Sequence, residues 1–286
     1  MRNHYEELLQ QGKLPVLKII DINDVLLHEY TDQNRAARLK TRIELSGVIQ
    51  NPVICTEAPG TNKYVLLDGA HRYQACKSLN CKYVPAQIVD YHDPLLLLKK
   101  WRHLFYSEDV RSFTNSVKQI QGILCETGIY SPDKLIPDTM PRFYAQIIFK
   151  SGDYIGLTGK HDLPAKIETI NALASLYIPN GLIDRISYDD IESLEKHYQE
   201  YTGLILYPRF KKEEVIQIAF NTHKLPAGIT RHLIPKRALH LNLPLSMLRF
   251  TDSRIEVEKF LMDFINHKIH NNAIRFYSES TFFFDD

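Results

Sequence analysis

The 286-residue sequence predicts an α+β protein made of two domains. Over residues 15–90, short apolar segments bounded by turn residues alternate with amphipathic helical patterns, which is typical of one compact α/β unit. Beyond about residue 100 the chain changes to helical stripes with short strand candidates between them. A chain of this length is long enough to form two hydrophobic cores. We therefore expect one domain over residues 1–100 and a mixed α/β domain over residues 101–286.

The predicted elements of the first domain follow one another closely. Apolar runs at 16–20, 52–55, 64–67 and 83–89 predict strands, and the Pro-Gly-Thr-Asn sequence at 59–62 predicts a turn. A helix is expected over about 33–46, with Gly47 as its C-cap because glycine readily adopts the left-handed conformation. A second helix follows Asp68-Gly69. Asn80 is expected to end it, since asparagine also tolerates that conformation.

The second domain contains weaker signals. Apolar stripes predict helices at 188–201 and 255–269, and short apolar runs predict strands at 204–207, 229–234 and 238–241. The tail at 274–284 is expected to form a last strand. The sequence has no internal repeat and no low-complexity segment.

Composition narrows the class of function. Lys plus Arg total 35 and Asp plus Glu total 34, so the chain lacks the basic surplus of a non-specific DNA-binding protein. The four cysteines, at 55, 76, 81 and 125, form no CxxC pair and are expected to be reduced thiols. The N-terminus has no apolar signal core, and the apolar run at 95–98 is far too short to span a bilayer. We expect a cytoplasmic protein with no membrane partner.

The segment 64–73, YVLLDGAHRY, carries the strongest chemical signal. It predicts a buried strand that runs directly into a helix, and the first turn of a helix presents unpaired N–H groups that attract anions. Gly69 and Ala70 allow a phosphate to approach the backbone, while His71 and Arg72 add polar donors. Asp68, at the end of the strand, is placed to hold a divalent metal ion. From the residues alone, an alternative stays open in which Asp68 is only an N-cap and Arg72 a solvated side chain.

A family resemblance extends this interpretation. DGAHRYQACKSLNCKYVPAQIV resembles the core motif of the ParB/sulfiredoxin fold, whose G-x-H-R or G-x-R-R turn binds nucleotide phosphates, and SGVIQNPVI resembles that fold's segment ending in Pro-Val. The resemblance implies a ParB/sulfiredoxin-like N-terminal nucleotide-binding domain. It also implies a nucleotide-binding set and a metal ligand, Asp68, for Mg²⁺. The nucleotide-binding set consists of Val48, Gly69, Ala70, His71 and Arg72.

Three branches of this superfamily imply different functions. The chromosome-partitioning branch, a nucleotide-gated DNA-binding regulator, normally has arginine at the position of His71 and continues into a helix-turn-helix that is not evident here. The sulfiredoxin branch requires a cysteine at the position of Ala70. The free serine kinases carry D-G-x-H-R-Y, an upstream His-Glu and a C-terminal P-A-G-[IV]-T-R segment. This chain has all three, with His28-Glu29 and PAGITR at 226–231, and so resembles that branch, which includes siderophore-cluster members.

The resemblance implies an acceptor and a donor. A serine hydroxyl needs a positioned base, and Glu29 matches the catalytic glutamate of the branch; from the residues alone, an exposed loop carboxylate is the ordinary alternative. The expected substrate-binding residues are Trp101, Thr230, Arg231 and His232. If 229–234 is a strand, Thr230 and His232 share one face and Arg231 points away.

The implied reaction is transfer from ATP or ADP to free L-serine with Mg²⁺. The product, O-phospho-L-serine, would serve siderophore precursor or cysteine synthesis. Two rivals stay open: the nucleotide-gated DNA-binding regulator, although DNA is not the expected partner, and a nucleotide sensor without catalysis. The sequence does not indicate the oligomeric state.

Overall fold

The computed structural model describes residues 4–276 except 13, 108, 131–138, 140–141, 161, 180–182 and 189–190. Its first half contains, in order, α1 (His4–Gln10), β1 (Val16–Asp21), β2 (Val25–Leu26), α2 (Gln33–Ser46), β3 (Val48–Ile49), β4 (Val53–Glu57), β5 (Tyr64–Asp68), α3 (Ala70–Ser78) and β6 (Tyr83–Ile88). Five of these strands form a mixed sheet in the order β1-β6-β4-β5-β2. In that sheet β4 pairs in parallel with β6, β2 pairs in parallel with β5, and the other pairs are antiparallel.

Local signals place the two helices beside this sheet. The observed bounds of α2 are those predicted. The Asp32 carboxylate accepts a hydrogen bond from the Arg35 N–H at its start, and Gly47 (φ 68°) follows its end. The helix α3 begins one residue after Gly69 and is followed by Asn80 at φ 56°. The predicted left-handed conformations of Gly47, after α2, and Asn80, after α3, are therefore confirmed.

The second half is built on a six-stranded sheet in the order β12-β8-β13-β10-β11-β9. Buried residues of α4, α5 and α7 pack against one face of it, and α6 packs against the other. The elements are β7 (Leu97–Lys100), β8 (Arg102–Phe105), α4 (Val110–Lys118), β9 (Ile123–Ile129), β10 (Ala145–Phe149), β11 (Asp153–Gly159), α5 (Leu163–Ser175), β12 (Ile183–Ile186), α6 (Ile191–His197), β13 (Gly203–Leu206), α7 (Lys212–Phe220), β14 (Thr230–Leu233), β15 (Leu243–Pro244), α8 (Leu245–Phe250) and α9 (Arg254–His270).

The last part of the chain returns to the first sheet. Val257, Leu261 and Ile265 of α9 share a buried core with Ile19 of β1 and Tyr5 of α1. The short strand β15 pairs with β3. Residues 241–265 thus complete the core of the first half, while the division at residue 100 stays a prediction.

The predicted elements of the second half have mixed outcomes. The helix at 255–269 and the strands at 204–207 and 229–234 are confirmed as α9, β13 and β14, and the helix at 188–201 is shorter, as α6. The strand at 238–241 is wrong, because Lys236 and His240 have φ values of 51° and 53°, which interrupt an extended chain. Residues 277–284 of the predicted last strand lie outside the described residues. Among the helices in the described ranges, none has the length and apolar composition needed to cross a bilayer.

Candidate functional site

A cleft of about 600 Å³ opens where the two halves meet. Its walls are the turn between β5 and α3, the segment 27–30 that follows β2, the strand β12, and the loop that precedes β14. The cleft therefore joins the three motifs of the sequence: Asp68–Arg72, His28-Glu29 and the PAGIT segment.

The turn between β5 and α3 has the form of an anion site. Gly69 adopts φ 94° as the N-cap of α3 and provides no side-chain hydrogen bond to the helix start. A Cβ at this position would lie 2.8 Å from Nη2 of Arg72 and would displace that side chain, and φ 94° itself favours glycine. The amides of the first helical turn therefore face the cleft without a side-chain cap, as anion binding requires.

Asp68 binds two arginine side chains, those of Arg72 and Arg237, at this turn. Its Oδ2 accepts hydrogen bonds from Nη2 of Arg72 at 2.9 Å and from Nη2 of Arg237 at 2.5 Å. Burial alone raises the pKa of Asp68, but the two guanidinium groups outweigh it and hold the pKa below its usual value. Asp68 is thus an anion that fixes two cations beside the helix start.

The carboxylate of Asp68 is also the predicted ligand of Mg²⁺. Mg²⁺ at nucleotide sites is commonly bound through one or two carboxylates together with phosphate oxygens and water. Asp68 stands at the turn between β5 and α3, where its carboxylate would suit an ion held mainly by a bound nucleotide. Among the described residues, no group of three or more His, Cys, Asp or Glu side chains is arranged to hold a metal.

Three polar side-chain atoms at the cleft are buried and have no hydrogen-bond partner within the described part of the chain: Nε2 of His71, Nε of Arg72 and Nε of Arg185. Buried polar groups are normally paired, so these three atoms are positioned to form hydrogen bonds with a ligand in the cleft. Burial, with Arg35, Arg185 and Arg72 nearby, lowers the pKa of His71, and Asp32 opposes this shift. The cleft is therefore cationic around the start of α3, which suits a polyphosphate.

Glu29 faces this turn across the cleft and is held by the loop before β14. Its Oε1 accepts hydrogen bonds from the N–H of Ile229 (3.1 Å), the N–H of Thr230 (2.6 Å) and the hydroxyl of Thr230 (2.7 Å). Its Oε2 accepts one from the N–H of Gly228 at 2.7 Å. Oε1 is saturated, whereas Oε2 keeps a lone pair for a further donor. The carboxylate is thus oriented with one oxygen available.

A buried histidine lies behind this carboxylate. Nδ1 of His28 donates to the carbonyl oxygen of Leu66 at 2.9 Å, and Nε2 lies 2.8 Å from the hydroxyl oxygen of Thr230. Burial lowers the pKa of His28, so the ring is neutral and Nε2 is an acceptor. The Thr230 hydroxyl has one hydrogen and two acceptors beside it, Nε2 of His28 and Oε1 of Glu29. The hydroxyl can donate to only one of these two acceptors, so the other contact would become a hydrogen bond only if one further proton were bound between its two atoms.

The strand β14 positions the remaining predicted residues. It pairs with β7, and the Trp101 N–H donates to the Ile229 carbonyl at 3.0 Å. Thr230 and Trp101 line the cleft. Arg231 points to the other face, with its guanidinium 4.5 Å from the centre of the Trp101 ring. His232 is buried beside His28 and lies 2.8 Å from the hydroxyl of Tyr91. The predicted alternation along this strand is confirmed.

Most of the predicted site residues come together. Those that line the cleft are Glu29, Asp68, Gly69, Ala70, His71, Arg72, Trp101 and Thr230. Val48, Arg231 and His232 are not among the described residues that line it, and Val48 pairs instead with Pro244 of β15. Their predicted binding roles stay predictions.

Sequence reasoning missed several residues of the cleft. Tyr30, Arg35, Asp184 and Arg185 line it, but they stand in ordinary helix, strand and loop sequence with no motif around them. Gly228 also lines it, and its place inside PAGITR was the available signal.

Comparison with known proteins places this geometry in context. Residues 4–99 match the ParB N-terminal domain. An ATP-dependent L-serine kinase of Staphylothermus marinus is 31% identical over 238 residues, which cover 82% of this chain and 91% of that protein. The ATP-dependent L-serine kinase SbnI of Staphylococcus aureus is 26% identical over 268 residues, covering 93% and 96% of the two chains.

Solved structures show the same fold. SbnI with a C-terminal truncation, from Staphylococcus aureus, superposes with a TM-score of 0.69 at 20% identity, covering 88% of this chain and 97% of that one. A mutant free serine kinase in complex with ADP superposes with a TM-score of 0.66 at 19% identity, covering 82% and 95%.

Proposed function

This chain belongs to the ParB-like family of L-serine kinases, and from that premise we propose that it phosphorylates the hydroxyl of free L-serine to give O-phospho-L-serine. One observation carries the proposal. The bare start of α3 and the carboxylate of Glu29 line the same cleft, so a polyphosphate and an acceptor hydroxyl would meet between them. Phosphoryl transfer depends mainly on such positioning and on neutralising charge.

The donor is a nucleotide with a terminal phosphoryl group. The relatives from Staphylothermus and Staphylococcus are named as ATP-dependent, and a neighbouring structure is described as a complex with ADP. We propose ATP as the principal donor and ADP as the alternative. The helix start, with Gly69, Ala70, His71 and Arg72, would bind its phosphates. The predicted contact from Val48 is not needed for this arrangement.

Different residues would carry out proton transfer and neutralisation of the phosphate charge. The serine oxygen attacks the terminal phosphorus, the bond from that phosphorus to its bridging oxygen breaks, and ADP leaves when ATP is the donor. Oε2 of Glu29, which holds one N–H donor, takes the hydroxyl proton. Arg72 and Arg185 offer buried, unpaired Nε–H donors to the charged oxygens. Magnesium, held at the nucleotide beside Asp68, would supply further neutralisation of phosphate charge.

Serine would be captured on the opposite wall. Trp101 and Thr230 line the cleft beside Glu29 and would limit the size of the amino acid. Arg231 supports Trp101 by stacking on its indole ring, and His232 packs behind His28. These two residues therefore support the wall from behind in the present structure, and their predicted contact with serine remains a proposal.

The wider context also remains proposed. The product would feed a siderophore precursor or cysteine synthesis, in the cytoplasm. The rival, a nucleotide-gated DNA-binding regulator, would bind through several phosphates and weaken steeply with salt. That rival predicts a retarded complex in a gel shift at low salt that is lost as the salt concentration rises, whereas the serine kinase proposal predicts no retarded complex anywhere in the series.

A substrate screen tests the proposal. The protein is incubated with Mg²⁺, ATP or ADP, and each common amino acid separately, and phosphorylated products are measured by ³¹P NMR and mass spectrometry. We expect O-phosphoserine from serine and markedly less product from threonine, because Trp101 lines the cleft and would leave less room for the added methyl group. Absence of phosphoserine with both nucleotides would overturn the proposed function.

A further inference from the structure

A second buried histidine lies behind the base, on the far side of the PAGIT loop. His103, in β8, is fully buried and faces the interior between the sheet and α5. Its Nε2 lies 2.7 Å from the carbonyl oxygen of Gly228, and its Nδ1 lies 2.7 Å from the hydroxyl of Tyr177. That hydroxyl lies 2.5 Å from the hydroxyl of Tyr207. No sequence motif marks this group.

The direction of each hydrogen bond follows from chemistry. A carbonyl oxygen only accepts, so Nε2 of His103 carries the hydrogen and donates to Gly228. Nδ1 is then an acceptor in the neutral ring, and the Tyr177 hydroxyl donates to it. Tyr207 in turn donates to Tyr177. Every member of the chain is satisfied, which is the condition under which a buried polar network holds one conformation.

The carbonyl that His103 binds belongs to the peptide that binds Glu29. The Gly228 carbonyl and the Ile229 N–H are two ends of one planar peptide unit. That N–H donates to Oε1 of Glu29 at 3.1 Å, and the Gly228 N–H donates to Oε2 at 2.7 Å. A donor at the carbonyl end fixes the peptide plane and polarises the N–H at the other end.

We propose that His103 is a positioning residue for the base, acting on Glu29 through the 228–229 peptide. The assignment rests on the proposed function, because it gives Glu29 its role. Burial lowers the pKa of His103 to about 4, so the ring stays neutral at working pH and keeps its N–H on Nε2. Its contribution is therefore steady orientation of the carboxylate, without any change of charge.

Two substitutions separate this role from simple packing. His103→Leu keeps most of the volume and removes the donor, while His103→Gln restores an N–H at a similar distance along the side chain. We expect His103→Leu to lower kcat by about tenfold to a hundredfold, since displacements near 1 Å have such effects. KM for the nucleotide should be unchanged, because the start of α3 is untouched. His103→Gln should recover most of the loss.

Leu104→Val is the matched control. Leu104 is the next residue of β8 and packs on the opposite face of the sheet, with Leu204 and Leu206. It should lower the melting temperature without lowering kcat. If His103→Leu loses no more kcat than Leu104→Val at equal melting temperature, or if His103→Gln fails to recover activity while folding normally, the positioning role is refuted.

A double-mutant cycle tests the route through Glu29. In a Glu29→Gln background, where the base is absent, His103→Leu should cause little further loss of the residual phosphoserine formation. Equal losses in both backgrounds would refute the proposed route. These results are distinct from failure of the proposed function itself, which would show as no phosphoserine from the unaltered protein.

Discussion

Gly228→Ala is the substitution whose effect follows most directly from the structure. Gly228 has φ 81°, a conformation that costs a residue with a Cβ about 1–2 kcal/mol. The added Cβ would overlap Nε of Arg185 and lie 2.5 Å from Cδ and 2.8 Å from Cζ of the same side chain. Normal contacts between such atoms are about 3.5–4.0 Å. The loop and Arg185 must therefore separate by about 1 Å.

That displacement also moves the carboxylate of Glu29, which we propose as the base. The Gly228 N–H is the hydrogen-bond donor to Oε2 of Glu29, so a shift of the loop moves the oxygen assigned to proton transfer. A misplacement of about 1 Å at reacting groups costs about 10²-fold in rate. We expect kcat for phosphoserine formation to fall about a hundredfold.

Gly60→Ala provides the control for backbone strain alone. Gly60 has φ 71° and no atom within 4 Å of an added Cβ. It should lose about 1–2 kcal/mol of stability, a fall of a few degrees in melting temperature, and keep normal kcat. Both variants are assayed by thermal unfolding and by a coupled measurement of phosphoserine. Equal kcat in Gly228→Ala and Gly60→Ala would refute the argument.

Three further outcomes are expected. Arg72→Met should weaken ADP binding about tenfold or more in calorimetry, because a charge-assisted hydrogen bond is worth about 1.5–3 kcal/mol; unchanged affinity would contradict the phosphate site. Thr230→Val should lower kcat several-fold without unfolding the protein, since it removes the hydroxyl donor to Glu29, and normal kcat would show that this donor is dispensable. Stability to urea should fall as pH drops below about 6.5, because burial lowers the pKa of His232 to about 3 and that of His103 to about 4. Below 6.5 the unfolded chain binds more protons, at up to about 1.4 kcal/mol per pH unit for each histidine; a flat profile from pH 7 to 5 would contradict this.

The elements that the sequence predicts well depend on neighbours close in the chain. The ends of α2 and α3 are set by Asp32, Gly47, Gly69 and Asn80, whose conformations are local properties. The uncapped turn between β5 and α3 was predictable for the same reason. A strand, a small residue and a helix start are enough to present amide groups.

Long-range contacts were not predictable from such signals. Arg185 reaches the cleft because β12 lies at the edge of the second sheet. The order of strands in that sheet cannot be predicted from the sequence of any single segment. His103 is a similar case, since its role depends on the position of Gly228, 125 residues away in sequence. The return of α9 to the first core also depends on the completed fold.

The predicted binding roles of Val48, Arg231 and His232 stay predictions. Each lies in a segment that resembles the family, yet side-chain direction is set by pairing. Val48 pairs with Pro244, Arg231 faces Trp101, and His232 faces the interior.

The separation of binding from turnover in Glu29→Gln tests the central claim most directly. The amide keeps the size of the side chain but cannot accept the serine proton, and general bases contribute about 10²–10⁴-fold. Calorimetry with ADP and a phosphoserine assay on the same sample should show normal nucleotide affinity and a rate reduced at least about a hundredfold. Full activity in this variant, or loss of ADP binding with it, would contradict a base that faces the phosphate turn across the cleft.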